Sequence, residues 1–263
     1  MTTYRRAGVA STFSPTFAAV LAEAESFTQH CGAELEIVHA AEFDPEKERR
    51  FLDAIGRDAS IRWVSKHPPA QAIISAAEDY NYELVIAGAL QVEDADRPFT
   101  SSVARELMRQ APCDLLLVPR PLEAPKVLRH VVFTLEPGEN ISHFLHGSLK
   151  LLRPERATIA VTETPFAAAI AASRGESLQD MNAWLEELCA PLFASGVEIE
   201  TRVVTSNTGY ALCEVVQGLE ADLLVVKALP EAEGGTLPLH VDWLYQILPT
   251  RLLVAKDPGP NRK

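Results

Sequence analysis

The sequence predicts an α/β protein built from two doubly wound, parallel five-stranded sheets of Rossmann-like type, arranged as a tandem repeat. Three observations carry that expectation. Short apolar runs of strand length alternate with helix-length amphipathic segments along all 263 residues, the pattern of a parallel sheet covered on both faces. The run Leu84-Val85-Ile86-Ala87, closed by Gly88, recurs as Leu223 to Lys227, and the turn at Pro112 recurs at Pro249. Between the copies lies RPLEAPK, residues 120–126, whose two prolines read as a linker. A repeat this long means two similar domains rather than a solenoid. Their expected extents are residues 1–122 and 123–263, the second diverged and carrying an inserted helix.

The elements of the first half follow from local signals. Residues 6–12 are a short apolar run suited to a first strand, and Ser14-Pro15 is placed to cap and open a helix. That helix, 16–31, has Phe17, Val20, Leu21, Ala24 and Phe27 at helical spacing, with Gly32 just past its end. Residues 35–40 and 61–65 read as strands around a charged, weakly helical stretch at 42–58. A helix over 68–80 carries Ile73, Ile74 and Ala77. Residues 84–88 form the fourth strand. A polar, acidic loop leads from it to Ser101-Ser102, a helix with Val103, Leu107 and Met108, and a closing strand at 115–118. The second half repeats the scheme, with strands at 128–134, 157–162, 197–205 and 223–227, a helix at 178–193 and a last helix near Trp243 and Tyr245.

Composition removes several function classes. A formal net charge of −12 disfavours nucleic acid and anionic membrane surfaces, which need basic patches. The apolar runs fall far short of the roughly 20 residues that span a bilayer, and the start, MTTYRRAGVASTF, lacks a secretory apolar core. Cys31, Cys113, Cys189 and Cys213 stand apart, without C-x-x-C spacing, as reduced thiols of a cytoplasmic protein do.

ELVIAG followed by TSSVARELMRQAPCDLLLVP resembles the final strand-helix-strand signature of the universal stress protein family. GVASTFSPTFAAVLAEA is similar to that family's first strand and helix. The resemblance implies a tandem protein whose fifth strands, 115–118 and 252–255, pair within the chain. Nucleotide-binding members carry G-x2-G-x9-G-[ST], in which glycines admit phosphate and the helix start holds it. The register here gives Gly88, Gln91, Ser101 and Ser102, so only the first glycine and the last hydroxyl remain. The family's acidic residue after strand one aligns with Thr12, and its backbone contact after strand two with Ala40. Glu93, Asp94 and Asp96 add negative charge to the intervening loop, with Asp94 and Asp96 as oxygen ligands should a divalent metal be bound. In the second half Lys227 stands in place of the first glycine.

The candidate cofactor-binding set is therefore Thr12, Ala40, Gly88, Ser101 and Ser102, with no catalytic or metal set. The expected function is a non-catalytic binding or scaffolding module of stress response with a degenerate nucleotide site and no cofactor. The alternative is a sensor that binds ATP in the first-domain cleft alone. Expected partners are the two domains for each other, a second copy or another protein, and neither nucleic acid nor membrane. His143 and His146, three apart on a helix, read as surface residues rather than a metal pair. His39 reads as a satisfied core or rim histidine at a strand end, with a position facing the cleft as the alternative.

Overall fold

The first half runs β1 (Arg6–Ser11), α1 (Phe17–Cys31), β2 (Glu34–His39), α2 (Pro45–Ile55), β3 (Ile61–Trp63), α3 (Pro69–Asp79), β4 (Leu84–Gly88), α4 (Ser102–Gln110) and β5 (Asp114–Val118). The second runs β6 (His130–Leu135), α5 (Ser142–Leu152), β7 (Arg156–Glu163), α6 (Leu178–Cys189), β8 (Glu198–Thr205), α7 (Tyr210–Gly218), β9 (Leu223–Lys227) and β10 (Arg251–Ala255). The computed structural model describes residues 3–14, 16–56, 59–65, 68–89, 100–135, 141–163, 169, 173, 178–205, 210–230 and 234–256.

The two expected five-stranded sheets are joined edge to edge into one ten-stranded sheet, ordered β3-β2-β1-β4-β5-β10-β9-β6-β7-β8. Every neighbouring pair is parallel except the central one. There β5 and β10 run antiparallel, with Leu117 opposite Leu252, Leu116 opposite Leu253 and Leu115 opposite Val254. The fifth strands thus pair as the family resemblance implied, and two sheet edges that could recruit another chain are closed within this one.

Side-chain alternation then sorts the core into two layers. Leu116 and Leu253 point with α1, α2, α5 and α6 into one cluster. Leu115, Leu117, Leu252 and Val254 point with α3, α4 and α7 into the other. Both clusters contain residues of both halves, so the core is continuous across the repeat. Gly8 shows how closely the strands are covered: a Cβ there would lie 2.7 Å from the Tyr82 ring. The Tyr82 hydroxyl donates to Glu36, whose other oxygen accepts from Arg62 at 2.9 Å and Arg6 at 3.3 Å.

Two elements depart from the expectation. The final helix is a kinked 3₁₀ segment, Leu239–Tyr245, broken at Val241. Its apolar residues Val241 and Leu244 are three apart, which three-residue turns align on one side, and both are buried. The helix at 178–193 divides into α6 and a 3₁₀ turn, Ala190–Ser195. In chain order it lies between β7 and β8, as α2 lies between β2 and β3.

Polar contacts lock the junction. Asp114 accepts from the Tyr4 hydroxyl at 2.7 Å and from the Lys256 amide at 2.8 Å. Arg251 of β10 donates to Glu23 of α1 at 3.0 Å, with side chains only 13% and 3% exposed. Removing one member of a buried pair strands the other charge, at a cost of about 3–5 kcal/mol. Glu23→Ala is expected to lower the unfolding free energy by about that amount in urea denaturation. Replacing both residues with apolar ones should recover most of the loss.

Candidate functional site

The carboxyl ends of β1, β2 and β3 place Ser11, His39 and Trp63 side by side in one row of the sheet. In a doubly wound sheet this end is where ligands sit. Each of the three strands also delivers an aromatic ring to it: Phe13 two residues beyond β1, Phe43 beyond β2, and Trp63 at the end of β3. Phe13 lies flat on the His39 ring, with centroids 3.7 Å apart and planes within 8°. It also stacks on Phe51 of α2 at 4.2 Å and meets Trp63 edge-on at 5.5 Å. Phe43 closes on Trp63 at 5.5 Å, and the Lys47 ammonium stands over the Phe13 ring at 5.5 Å. The Trp63 indole N–H donates to Glu48.

Phe13 reaches this position through a left-handed backbone, φ 52°. An L-residue with a bulky side chain adopts that conformation at a cost of roughly 1–2 kcal/mol. Stacking is worth about 0.5–1.5 kcal/mol per ring pair beyond burial, so the contacts with His39, Phe51 and Trp63 more than offset the strain.

His39 is 5% exposed. Its Nδ1 lies 3.1 Å from the Ser11 carbonyl, which can only accept, so Nδ1 carries the proton. The other nitrogen, Nε2, is buried and has no hydrogen-bond partner among the described residues. The expected satisfied histidine is therefore satisfied on one side only. Burial lowers its pKa; the Ser11 bond opposes this and the Lys47 charge adds to it.

The sequence-derived site residues fall into two places. Thr12 is exposed, and its hydroxyl pairs with Ser14 at 2.9 Å, which pairs in turn with Thr16 at 2.9 Å. Ser14 thus joins a hydroxyl chain instead of capping α1, whose N-cap position is Thr16, with no side-chain bond to the helix amides among the described residues. Ala40 follows His39 at the end of β2, beside the aromatic cluster. Gly88 ends β4, where a Cβ would lie 3.3 Å from Val20 of α1, so close helix packing already accounts for the glycine. Lys227 occupies the equivalent place in the second half: Gly88 pairs with Val118, and Lys227 with Ala255.

Ser101 is the cap of α4, accepting from the Ala104 amide at 3.1 Å. Ser102 is the first helical residue and exposed, so it does not share that role. The helix start is further tied down, because the Ser101 amide donates to the Ala89 carbonyl at 2.8 Å. Thr100 reaches the second half, its amide donating to Gln246 at 3.0 Å and its hydroxyl to Leu244 at 3.3 Å. The amides of Thr100, Ser101 and Ala104 are thereby spent on protein acceptors. Gln91, Glu93, Asp94 and Asp96 lie outside the described residues. His143 and His146 both stand exposed on α5. Among the described residues no cluster of His, Cys, Asp or Glu is grouped to hold a metal.

The cluster of Phe13, Phe43, Phe51 and Trp63 escaped sequence reasoning. The only sequence signal is that Phe13 and Phe43 follow the first two strands within a few residues and Trp63 ends the third.

Fold and site together define a doubly wound α/β protein with paired halves. Residues 46–119 match the model of the Universal stress protein family. Three solved structures share the fold over nearly the whole chain. A functionally unknown protein from Pseudomonas aeruginosa PAO1 is 14% identical, with 97% of this chain and 93% of that one covered and a TM-score of 0.68. A universal stress protein from Archaeoglobus fulgidus is 13% identical, with 95% and 98% covered and a TM-score of 0.67. A putative universal stress protein from Pseudomonas aeruginosa UCBPP-PA14 is 16% identical, with 97% and 94% covered and a TM-score of 0.66. No curated protein matches the sequence. The stretch 46–119 thus carries the match to the universal stress protein family, and the second half repeats the strand order of the first.

Two outcomes follow from the geometry. Ser101→Ala should cost about 1 kcal/mol of stability while Ser102→Ala stays near neutral, read as thermal midpoints. For His39 the folded pKa lies below the ordinary 6.5. Its contribution is therefore fully present above that value and is lost as pH falls toward the folded pKa. His130, also lowered by burial, acts in the same direction. Thermal melts between about pH 7.5 and pH 5.5 should show the decline, with His39→Gln flattening it in part.

Proposed function

We propose that the protein is a non-catalytic universal-stress-type module of stress response, acting by binding or scaffolding, whose first-domain cleft no longer takes a nucleotide. Its two domains, residues 1–122 and 123–263, serve each other as permanent partners. The observation that carries this reading is Phe13. The family resemblance puts nucleoside contacts at Thr12 and Ala40, and the space between the ends of β1 and β2 is filled by the Phe13 ring stacked on His39. Phosphate would find the amides of Thr100, Ser101 and Ala104 already used within the protein. The residues present do not fit ATP.

The cysteines support a role without redox or nucleophilic chemistry in a reducing compartment such as the cytoplasm. All four are free. Burial pushes the Cys31 thiol up to about 12 and Cys189 up to about 11, far from the thiolate form that attack requires. Among the described residues no helix is long and apolar enough to cross a membrane.

Calorimetric titration with Mg-ATP tests the reading. The wild-type chain is expected to give no binding heat at micromolar nucleotide. Phe13→Ala vacates the stack and reports whether the plug alone is responsible. Low-micromolar binding by the wild type would reverse the assignment in favour of an ATP-dependent sensor.

A further inference from the structure

The sheet ends differently on its two sides. On the first-half side the edge strand is β3, three residues long. On the other side it is β8, eight residues long, paired only with β7 among the described residues. An edge of that length offers a row of backbone donors and acceptors to another strand. Proteins commonly blunt such edges with charges of one sign, and β8 carries both signs on one face. Ile199 and Val203 pack toward the cluster beneath α5 and α6, while Glu198, Glu200 and Arg202 alternate with them. Glu200 and Arg202 already attract each other within the strand, at 2.7 Å and about 40% exposure.

We propose that β8 is a homodimer edge, pairing antiparallel with β8 of a second copy about a twofold axis at Thr201. In that register Glu200 lies opposite the second copy's Arg202, and Arg202 opposite its Glu200. Ile199 lies opposite Val203 on the other face. Shifting the register by two residues sets Glu200 against Glu200 or Arg202 against Arg202, like charges facing each other. Shifting by one turns the apolar residues to the wrong face. The strand is thus self-complementary in one arrangement. Isologous pairing of this kind is what a twofold dimer requires.

A second observation points the same way. Phe193, 58% exposed in the 3₁₀ turn that precedes β8, adds a large apolar side chain at one end of the edge. Antiparallel pairing brings the Phe193 end of each strand to the Thr205 end of the other. The proposal does not depend on what the first-domain cleft holds.

Sedimentation equilibrium on the full chain tests it through charge reversal. The wild type should dimerise, and Glu200→Arg or Arg202→Glu should each weaken association by at least about tenfold, since attractive pairs become repulsive ones. An equimolar mixture of the two variants should dimerise again, because every cross-strand pair is then of opposite sign. The residues are at least partly exposed, so the variants should stay folded, with thermal midpoints lowered only by the stabilisation that dimerisation gives the wild type. A monomeric wild type overturns the proposal and leaves the edge to a peptide strand or to solvent. A dimer indifferent to both reversals, or a mixture that stays monomeric, overturns it equally.

Discussion

The antiparallel contact between β5 and β10 is the constraint on which the remaining architecture depends. Two parallel sheets built by βαβ units each end in an unpaired edge. Joining them converts those edges into the centre of one sheet, where Leu115, Leu116, Leu117 and their partners are essentially without solvent exposure. The join also decides which loops can meet. With β5 against β10, the start of α4 comes to lie against the 3₁₀ segment of the second half, and Thr100 donates twice across the boundary. A helix start that could have stayed open to a ligand became part of an internal interface.

The aromatic cluster at β1, β2 and β3 follows a similar logic. A cleft at strand ends presents apolar walls and backbone dipoles, and leaving it empty forfeits dispersion and exposes apolar surface. Here the chain fills it with its own ring. Phe13 bears a strained backbone for this, and the stacking on His39 and Phe51 carries the balance. The arrangement leaves one flaw, the unpartnered His39 Nε2. A buried lone pair without a donor costs on the order of 1–3 kcal/mol, comparable to the stacking of two ring pairs.

Much of the fold was legible in the sequence because its signals are local. Strand runs, Gly32 as a C-cap and the repeat of β4 and β5 as β9 and β10 all depend on a few neighbouring residues. The pairing of fifth strands was readable through family resemblance. Other features were beyond local reasoning. Residues 239–245 carry helical composition, but Pro238 before them and burial of Val241 and Leu244 select three-residue winding. Ser101 and Ser102 look equivalent in sequence; only the extended backbone at Ser101 makes it the cap. Phe13 reads as an ordinary apolar residue near a turn. Its role rests on the sign of one dihedral and on rings delivered by three separate segments, which no window of sequence contains.

The two halves then have reason to differ. When both members of a pseudo-symmetric pair sit on one chain, each position can change in one copy alone. Gly88 is kept small by Val20 of α1, whereas its counterpart Lys227 is a long cation at the end of β9. β3 is reduced to three residues beside the aromatic cluster, whereas β8 extends to eight with a patterned charge face. A homodimer of single domains would present two identical edges and two identical clefts. The fused chain can specialise them, closing one cleft with Phe13 while keeping a long edge at the opposite end of the sheet. The asymmetry is what a tandem gains over a symmetric dimer, and here it places the aromatic cluster of Phe13 and Trp63 at one end of the sheet and the eight-residue edge strand β8 at the other.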